Sequence, residues 1–262
     1  MNQPFAYIHP QAKIADNVVI EPFASIHKNV EIEEGSWIGS NAVIMEGSRI
    51  GKNCRIFPGA VISAIPQDLK FEGEETTAEI GDGTVIREYV TVSRGTKDKY
   101  KTVIGKNCLI MAYTHVAHDC ILGNGCILSN SVQLAGHVFI GDYAILGGTS
   151  AVHQFVQIGE HSFIRGGSLV GKDVPPFSKA GKDPVSYFGI NSVGLRRRGF
   201  DNDKINEIQS IYRRIYLSGL NNTQALDRIE LDMPPTPERD MILNFVRSSS
   251  RGIMRGYTGQ FR

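Results

Sequence analysis

The residues with the clearest chemical potential are three histidines. His118, His137 and His153 follow Val116, Leu134 and Val152 by two, three and one residues, and those aliphatic residues are 18 apart. Histidine is the usual general base near neutral pH. In His118-Asp119 the base has a carboxylate neighbour that can orient the ring and stabilise its imidazolium form. No serine or cysteine nucleophile accompanies the group, which favours direct transfer to a substrate hydroxyl. Gly136, 18 residues after His118, could offer a backbone N–H to a developing oxyanion, and Gln154 continues the same spacing. His115 lies just ahead of the group. His9, His27 and His161 read as solvated turn histidines.

The 18-residue spacing acquires meaning from the repeat that carries it. From Ile8, every sixth residue through Ile62 is isoleucine, and the phase returns at Ile80, Ile86 and Val92. It then runs unbroken from Ile104 to Val170. Four residues after each aliphatic residue stands a small or β-branched one, such as Ala24, Val30 or Ser36, with turn formers between. A period of six suits neither a helix nor a hairpin sheet; it is the signature of a parallel β-helix. Three hexads close one triangular coil, and coils stack at the strand spacing of about 4.8 Å. His118, His137 and His153 should therefore share one corner of three successive coils, spanning roughly 10 Å. Cys54, Cys108, Cys120 and Cys126 all fall at the small inward position, where cysteine acts as a small buried hydrophobe; a metal site or disulfide is the rival reading.

The repeat is interrupted twice, at residues 64–78 and 94–102. A solenoid gains nothing from thrown-out loops, so these are expected to be functional. After Pro175-Pro176 the hexads stop. Asp201 can cap a helix carrying Ile205, Ile208, Ile211, Tyr212 and Ile215, and Thr236-Pro237-Glu238 starts another. The expected organisation is mainly β: a parallel β-helix over residues 1–176 and a small α-helical domain over 177–262. Ile (29) outnumbers Leu (13), in keeping with β structure. The chain of 262 residues has a net charge of +1, which does not mark a nucleic-acid binder. The charge is nevertheless polarised, because residues 177–262 carry 14 Lys and Arg against 9 Asp and Glu. No apolar run is long enough for a transmembrane segment, and the first residues show no signal peptide. Free thiols fit a cytosolic protein.

The hexads over residues 8–175 resemble those of the hexapeptide-repeat transferases, whose β-helix is left-handed. A closer resemblance lies in Gln67-Asp68-Leu69-Lys70, His115-Val116-Ala117-His118-Asp119-Cys120, Leu134-Ala135-Gly136-His137-Val138, Ala151-Val152-His153-Gln154-Phe155 and Gly194-Leu195-Arg196-Arg197-Arg198-Gly199-Phe200. These segments look like those of the UDP-N-acetylglucosamine O-acyltransferases, over nearly the whole chain. The resemblance implies a cytoplasmic homotrimer with sites in clefts between neighbouring β-helices and no cofactor. It implies transfer of an (R)-3-hydroxyacyl group from acyl carrier protein to the glucosamine 3-hydroxyl of UDP-N-acetylglucosamine, the first step of lipid A synthesis. His118 then matches the general base, Asp119 its partner and Gly136 the oxyanion donor. Gln67, Asp68, Lys70, His115, His137, His153 and Gln154 match substrate-binding positions. Asn191, Arg197 and Arg198 match the nucleotide side, where guanidinium forks suit phosphate. Gly166 matches the position that limits acyl-chain length, and an open groove there implies a long chain. Two departures, Val193 where some members carry Glu and Pro184 where some carry His, touch the nucleotide and acyl-chain contacts.

Trimeric β-helices also host zinc carbonic anhydrases, for which His115, His118 and His137 would be the ligands. The Gln67–Lys70 loop and the basic tail have no use in a hydratase. The N-acyltransferase of the same pathway carries an additional N-terminal domain, whereas the hexads here begin at Ile8. A purely structural solenoid leaves the histidine corner unexplained.

Overall fold

The computed structural model describes residues 5–256; the ends of the two expected units, 1–4 and 257–262, lie outside the described residues. From Tyr7–Ile8 to Leu169–Val170 the chain is a left-handed parallel β-helix of short strands, three to a coil. Among the described residues the strands stack into three sheets: nine strands beginning at Tyr7–Ile8, eight beginning at Lys13–Ile14, and eleven that include Val19–Ile20. These are called here the first, second and third sheets, and the turn after each is the corner of the same number.

Each aliphatic residue of the hexad lies over its counterpart one coil earlier. Val116 pairs with Leu134 and Leu134 with Val152, all essentially buried. The small inward position fills the remaining space, and all four cysteines occupy it as free, buried thiols. Burial pushes the Cys120 thiol up to about 12, so no thiolate forms there near neutral pH. The turn formers also have a conformational reason. Asn29, Asn41, Asn53 and Asn107 take left-handed backbone at the corners, with φ of 53 to 59°, which asparagine tolerates better than most residues.

Both interruptions leave from the first corner. Residues 65–76 follow the strand Val61–Ala64, and residues 94–100 follow Thr91–Ser93. The first sheet closes over them, pairing Ile62 with Val92 and Val92 with Val116. The insertions therefore emerge one coil apart, directly before the coil of His118.

The tail does not begin as helix at residue 177. Ser178–Gly181 pairs in parallel with Phe163–Ile164, and Ser186–Ile190 pairs antiparallel with it, extending the third sheet. The hexad pattern ends, but the last coil leaves a sheet edge that still has to be covered. Among the described residues four helices follow: α1 (Ser192–Arg197), α2 (Asn202–Leu217), α3 (Asn222–Asp232) and α4 (Pro237–Ser248). Asp201 and Thr236 cap α2 and α4 as expected, accepting from the backbone N–H of Lys204 and Arg239. The apolar face of α2 packs on Ile229, Ile242 and Leu243. The segment after α4 returns to the last coil, where Asp173 accepts from Ser249 Oγ (2.6 Å) and its backbone pairs with Gly252 and Met254.

His161 departs from the solvated state expected of it. Its ring stacks between Tyr143 (5.1 Å) and Phe177 (5.6 Å), with the edge of Phe200 at 5.3 Å. Its backbone carbonyl accepts from Asn191 Nδ2 at the start of α1 (2.9 Å). It thus joins the helices to the β-helix. Burial, reinforced by the charge of Arg198, lowers its pKa to about 4. The unfolded chain takes up this proton near pH 6.5, whereas the folded one resists it until about 4. Stability is therefore intact above pH 6.5 and declines as pH falls towards 4. After discounting for partial exposure the loss is about 1–2 kcal/mol. His161→Phe should flatten that part of the stability-versus-pH curve, measured by urea unfolding between pH 7 and 4.5; an unchanged slope would refute this role.

Candidate active site

Stacking places three residues in one column at the first corner: Asp119, His137 and Phe155, each 18 residues above the last and each in left-handed backbone, with φ of 59, 60 and 65°. His118, Gly136 and Gln154 form the adjacent column. His137 N donates to the His118 carbonyl (3.0 Å) and Phe155 N to that of Gly136 (3.2 Å), locking the coils in register. The His137 ring stacks on Phe155 at 4.5 Å and meets the His118 ring edge-on at 5.1 Å.

His118 Nδ1 lies 2.8 Å from Asp119 Oδ2. An ionised carboxylate can only accept, so Nδ1 carries the hydrogen, and in the neutral ring the lone pair lies on Nε2. Asp119 is fully buried. Its Oδ1 accepts from Thr96 N (3.0 Å) and Lys99 N (3.2 Å), and its Oδ2 also accepts from Thr96 Oγ1 (2.7 Å). Burial alone would raise the Asp119 pKa, but the bonds from Thr96 and His118 and the nearby His137 together hold it below the usual carboxylate range. Its backbone N–H donates to Thr102 Oγ1 (2.9 Å).

Gly136 is glycine for lack of room. A Cβ there would stand 2.6 Å from His118 Cε1 and 2.7 Å from Nε2. The imidazole thus occupies the space of the missing side chain. Among the described residues the Gly136 N–H has no acceptor, so it is available to a bound group beside Nε2.

A cavity of about 390 Å³ opens beside this pair, lined among others by Asp68, Lys70, His137 and Gln154. Four sequence-predicted binding residues are thereby brought together. Gln67, next to them, is exposed. The two insertions form the wall opposite the coil. The Arg94 guanidinium covers the Phe71 ring at 5.3 Å, and Lys97 N donates to Glu74 Oε1 (2.9 Å). Asp98 Oδ2 stands 3.1 Å from His137 Nδ1, without hydrogen-bond geometry.

The other expected residues are dispersed. His115 is engaged with Thr91 Oγ1 (2.7 Å), and burial followed by the charge of His118 lowers its pKa. His153 lies on the exposed rim, with Arg251 Nη2 3.2 Å from its Nδ1. Asn191 caps α1, accepting from Gly194 N and donating to the His161 carbonyl. Arg198 donates to the Tyr143 carbonyl (3.0 Å) with its guanidinium 5.2 Å from the Tyr143 ring centroid, while Arg197 is exposed. Tyr143 and His161 belong to the second corner and Gly166 to the third. Corners lie one six-residue side apart, at most about 20 Å. Within one chain Asn191, Arg198 and Gly166 therefore do not share the first corner with His118. Val193 is exposed, and Pro184 lines a separate cavity with Tyr216 and Arg255.

For zinc, the His115, His118 and His137 set does not converge. The triple whose donor atoms do, all within 4.8 Å, is His118, Asp119 and His137. There the carboxylate already serves four hydrogen bonds and His118 Nδ1 is one of the donors, so the arrangement fits an oriented base better than a metal ligand set.

Thr96, Lys99 and Thr102 were not anticipated from the sequence. Loop residues carry no register, so nothing in the spacing points to Thr96 or Lys99. Phe155, by contrast, stands 36 residues after Asp119 and was readable from the column.

The comparisons with known proteins converge on one family. A family model described as UDP-N-acetylglucosamine O-acyltransferase, domain 2, matches residues 173–254, and the bacterial transferase hexapeptide model matches residues 29–64 and 101–136. The acyl-[acyl-carrier-protein]–UDP-N-acetylglucosamine O-acyltransferase of Aquifex aeolicus is 59% identical over 198 residues, covering 75% of this chain and 76% of that protein. The protein of the same name from Chlorobaculum tepidum is 62% identical over 191 residues, covering 72% of each. The solved UDP-N-acetylglucosamine acyltransferase of Bacteroides fragilis superposes with a TM-score of 0.96 at 52% identity, over 97% of this chain and 100% of that one.

The close approach of His118 to Gly136 predicts that Gly136→Ala displaces the imidazole from Asp119. The buried carboxylate then loses a partner, at about 1–3 kcal/mol of stability. A crystal structure of the variant with the His118 ring unmoved would overturn this reading.

Proposed function

The chain belongs to the UDP-N-acetylglucosamine O-acyltransferases and is an acyltransferase, and from that premise we propose that it transfers an (R)-3-hydroxyacyl group from acyl carrier protein to the glucosamine 3-hydroxyl of UDP-N-acetylglucosamine by direct general-base attack. The observation that carries the mechanism is the 2.8 Å bond from His118 Nδ1 to Asp119, which leaves Nε2 free beside Gly136.

In this reading His118 Nε2 takes the proton of the sugar hydroxyl as its oxygen attacks the thioester carbonyl. The new C–O bond places negative charge on the carbonyl oxygen, and the Gly136 N–H donates to it. Asp119 stabilises the imidazolium formed in that step. Collapse of the tetrahedral intermediate breaks the C–S bond, and the proton on Nε2 passes to the departing thiolate of the carrier. No acyl-enzyme is needed, in keeping with the buried, high-pKa Cys120.

Asp68, Lys70, His137 and Gln154 suit the acceptor sugar, because they line the cavity beside the base. His115, His153 and Gln67 complete its surroundings. Asn191, Arg197 and Arg198 serve the nucleotide, and Gly166 the end of a long acyl chain. Since these last positions lie at other corners, a homotrimer is proposed in which the cleft between two β-helices joins one copy's first corner to its neighbour's remaining residues. The β-helical part (1–176) then supplies the chemistry, and the basic tail (177–262) the nucleotide contacts and the docking of the acidic carrier. No helix among the described residues is long and apolar enough to cross a membrane. The proposed substrates place the reaction in the cytoplasm, at the first step of lipid A synthesis.

Incubation of the purified protein with UDP-N-acetylglucosamine and hydroxyacyl carrier proteins of varied chain length tests the reaction; absence of a 3-O-acylated product would end it. His118→Ala should cut turnover by about 10² or more while leaving the fold intact, and near-normal turnover in the folded variant would remove His118 as base. Carrier docking through the basic tail predicts that the apparent KM for acylated carrier rises between low and moderate salt, because screening weakens steering. A flat salt dependence would refute the docking idea.

A further inference from the structure

We propose that Thr96, on the second insertion, is a positioning residue that sets the strength of the His118 base through Asp119. The inference rests on the general-base reading above. Thr96 Oγ1 and His118 Nδ1 share one oxygen, Asp119 Oδ2, at 2.7 and 2.8 Å. The direction of the hydroxyl is fixed. Thr96 Oγ1 accepts from Asp98 N (3.3 Å), which turns its own hydrogen to the carboxylate. The other carboxylate oxygen is held by backbone N–H groups of Thr96 and Lys99. Thr96 itself is buried. Of the donors this loop supplies to Asp119, its hydroxyl alone can be deleted without touching the main chain.

The physical consequence has a definite sign. A hydroxyl donating to Oδ2 draws negative charge away from the His118 contact, so it weakens the support that Asp119 gives the imidazolium. Removing it leaves the full charge of Oδ2 to His118 and strengthens that support. The base should then protonate at higher pH. The other groups facing His118 are His137, edge-on at 5.1 Å, and His115, whose charge couples to it. Asp98 acts on His137 rather than on His118 directly. Of these, Asp98 is the one bonded to the hydroxyl, through its backbone N–H, so its contact with His137 is the one that the deletion touches.

Thr96 also connects this oxygen to the substrate-binding wall. Its neighbour Lys97 is bound to Glu74 on the first insertion, which carries Asp68 and Lys70. The same short loop thus holds the binding wall on one side and Asp119 on the other.

The test compares the wild-type protein with Thr96→Val, Thr96→Ser and Thr96→Ala. The acid limb of the kcat/KM–pH profile should move up by about half a pH unit or more in Thr96→Val. Thr96→Ser should restore it. Titration of the free protein with 13Cε1-labelled histidine, which needs no substrate, should show the same displacement for the His118 resonance. Thr96→Ala provides the same deletion should the valine variant fold poorly. A folded variant with lower activity but an unmoved limb and resonance would overturn the proposal in favour of a purely structural threonine, and unchanged behaviour throughout would overturn it altogether. If the wild-type protein transfers no acyl group but the His118 resonance still responds to Thr96→Val, the function assigned above falls and the Thr96 coupling stands.

Discussion

The stacking of coils at one strand spacing is the constraint on which everything else depends. A parallel ladder in register allows each residue only one neighbour in the coil above and one in the coil below. The aliphatic hexad position satisfies that constraint in the interior, pairing Val116 with Leu134 and Leu134 with Val152. At the corners the same constraint arranges chemistry. Asp119 has to lie under His137, and His118 under Gly136, because no other register buries the aliphatic residues. His118 and Asp119 are neighbours in sequence, yet Gly136 and His137 beside them come from a coil 18 residues away.

Such a column is rigid but short of donors. A β-helical corner exposes side chains on a convex edge, and a buried carboxylate there would lack the hydrogen bonds it needs. The two insertions supply what the repeat cannot. They leave at the first corner in the two coils before His118 and fold back over it. Thr96 and Lys99 bring N–H and O–H groups to Asp119, while Asp68 and Lys70 face the cavity beside the histidines. This is the physical reason for insertions in an otherwise unbroken solenoid: the coil provides precise spacing and the loops provide enclosure and polar partners.

Much of the fold was legible in advance because hexad periodicity is a packing rule written directly in residue type. The run of isoleucines from Ile8 and the 18-residue offset between Val116, Leu134 and Val152 determined which histidines could meet. Capping residues did the same for α2 and α4. The capping box of Asn221 and Gln224 would have marked α3 by the same logic. What stayed hidden lies where no period operates. Thr96 sits in a loop, and its role depends on how that loop closes. His161 looked like any corner residue, and only the aromatic rings of Phe177 and Phe200, supplied by the tail, make its environment dry. The tail's first strands were missed because a sheet edge recruits whatever chain follows it, without needing a hexad.

The distribution of residues over three corners carries the last step. A coil is triangular, so a single chain cannot bring the His118 corner together with Arg198, held on the second corner by the Tyr143 carbonyl, or with Gly166 on the third. A substrate that bears both a reacting hydroxyl and a diphosphate needs a base and guanidinium groups within one ligand's length. Side-by-side packing of identical prisms meets that need with no new element, since it sets the corner of one copy against another corner of its neighbour. In the homotrimer proposed above, three copies arranged about an axis would close the set, with every cleft alike. Under that proposal, the geometry that keeps these residues apart in one chain is the geometry that would join them in a ring of three.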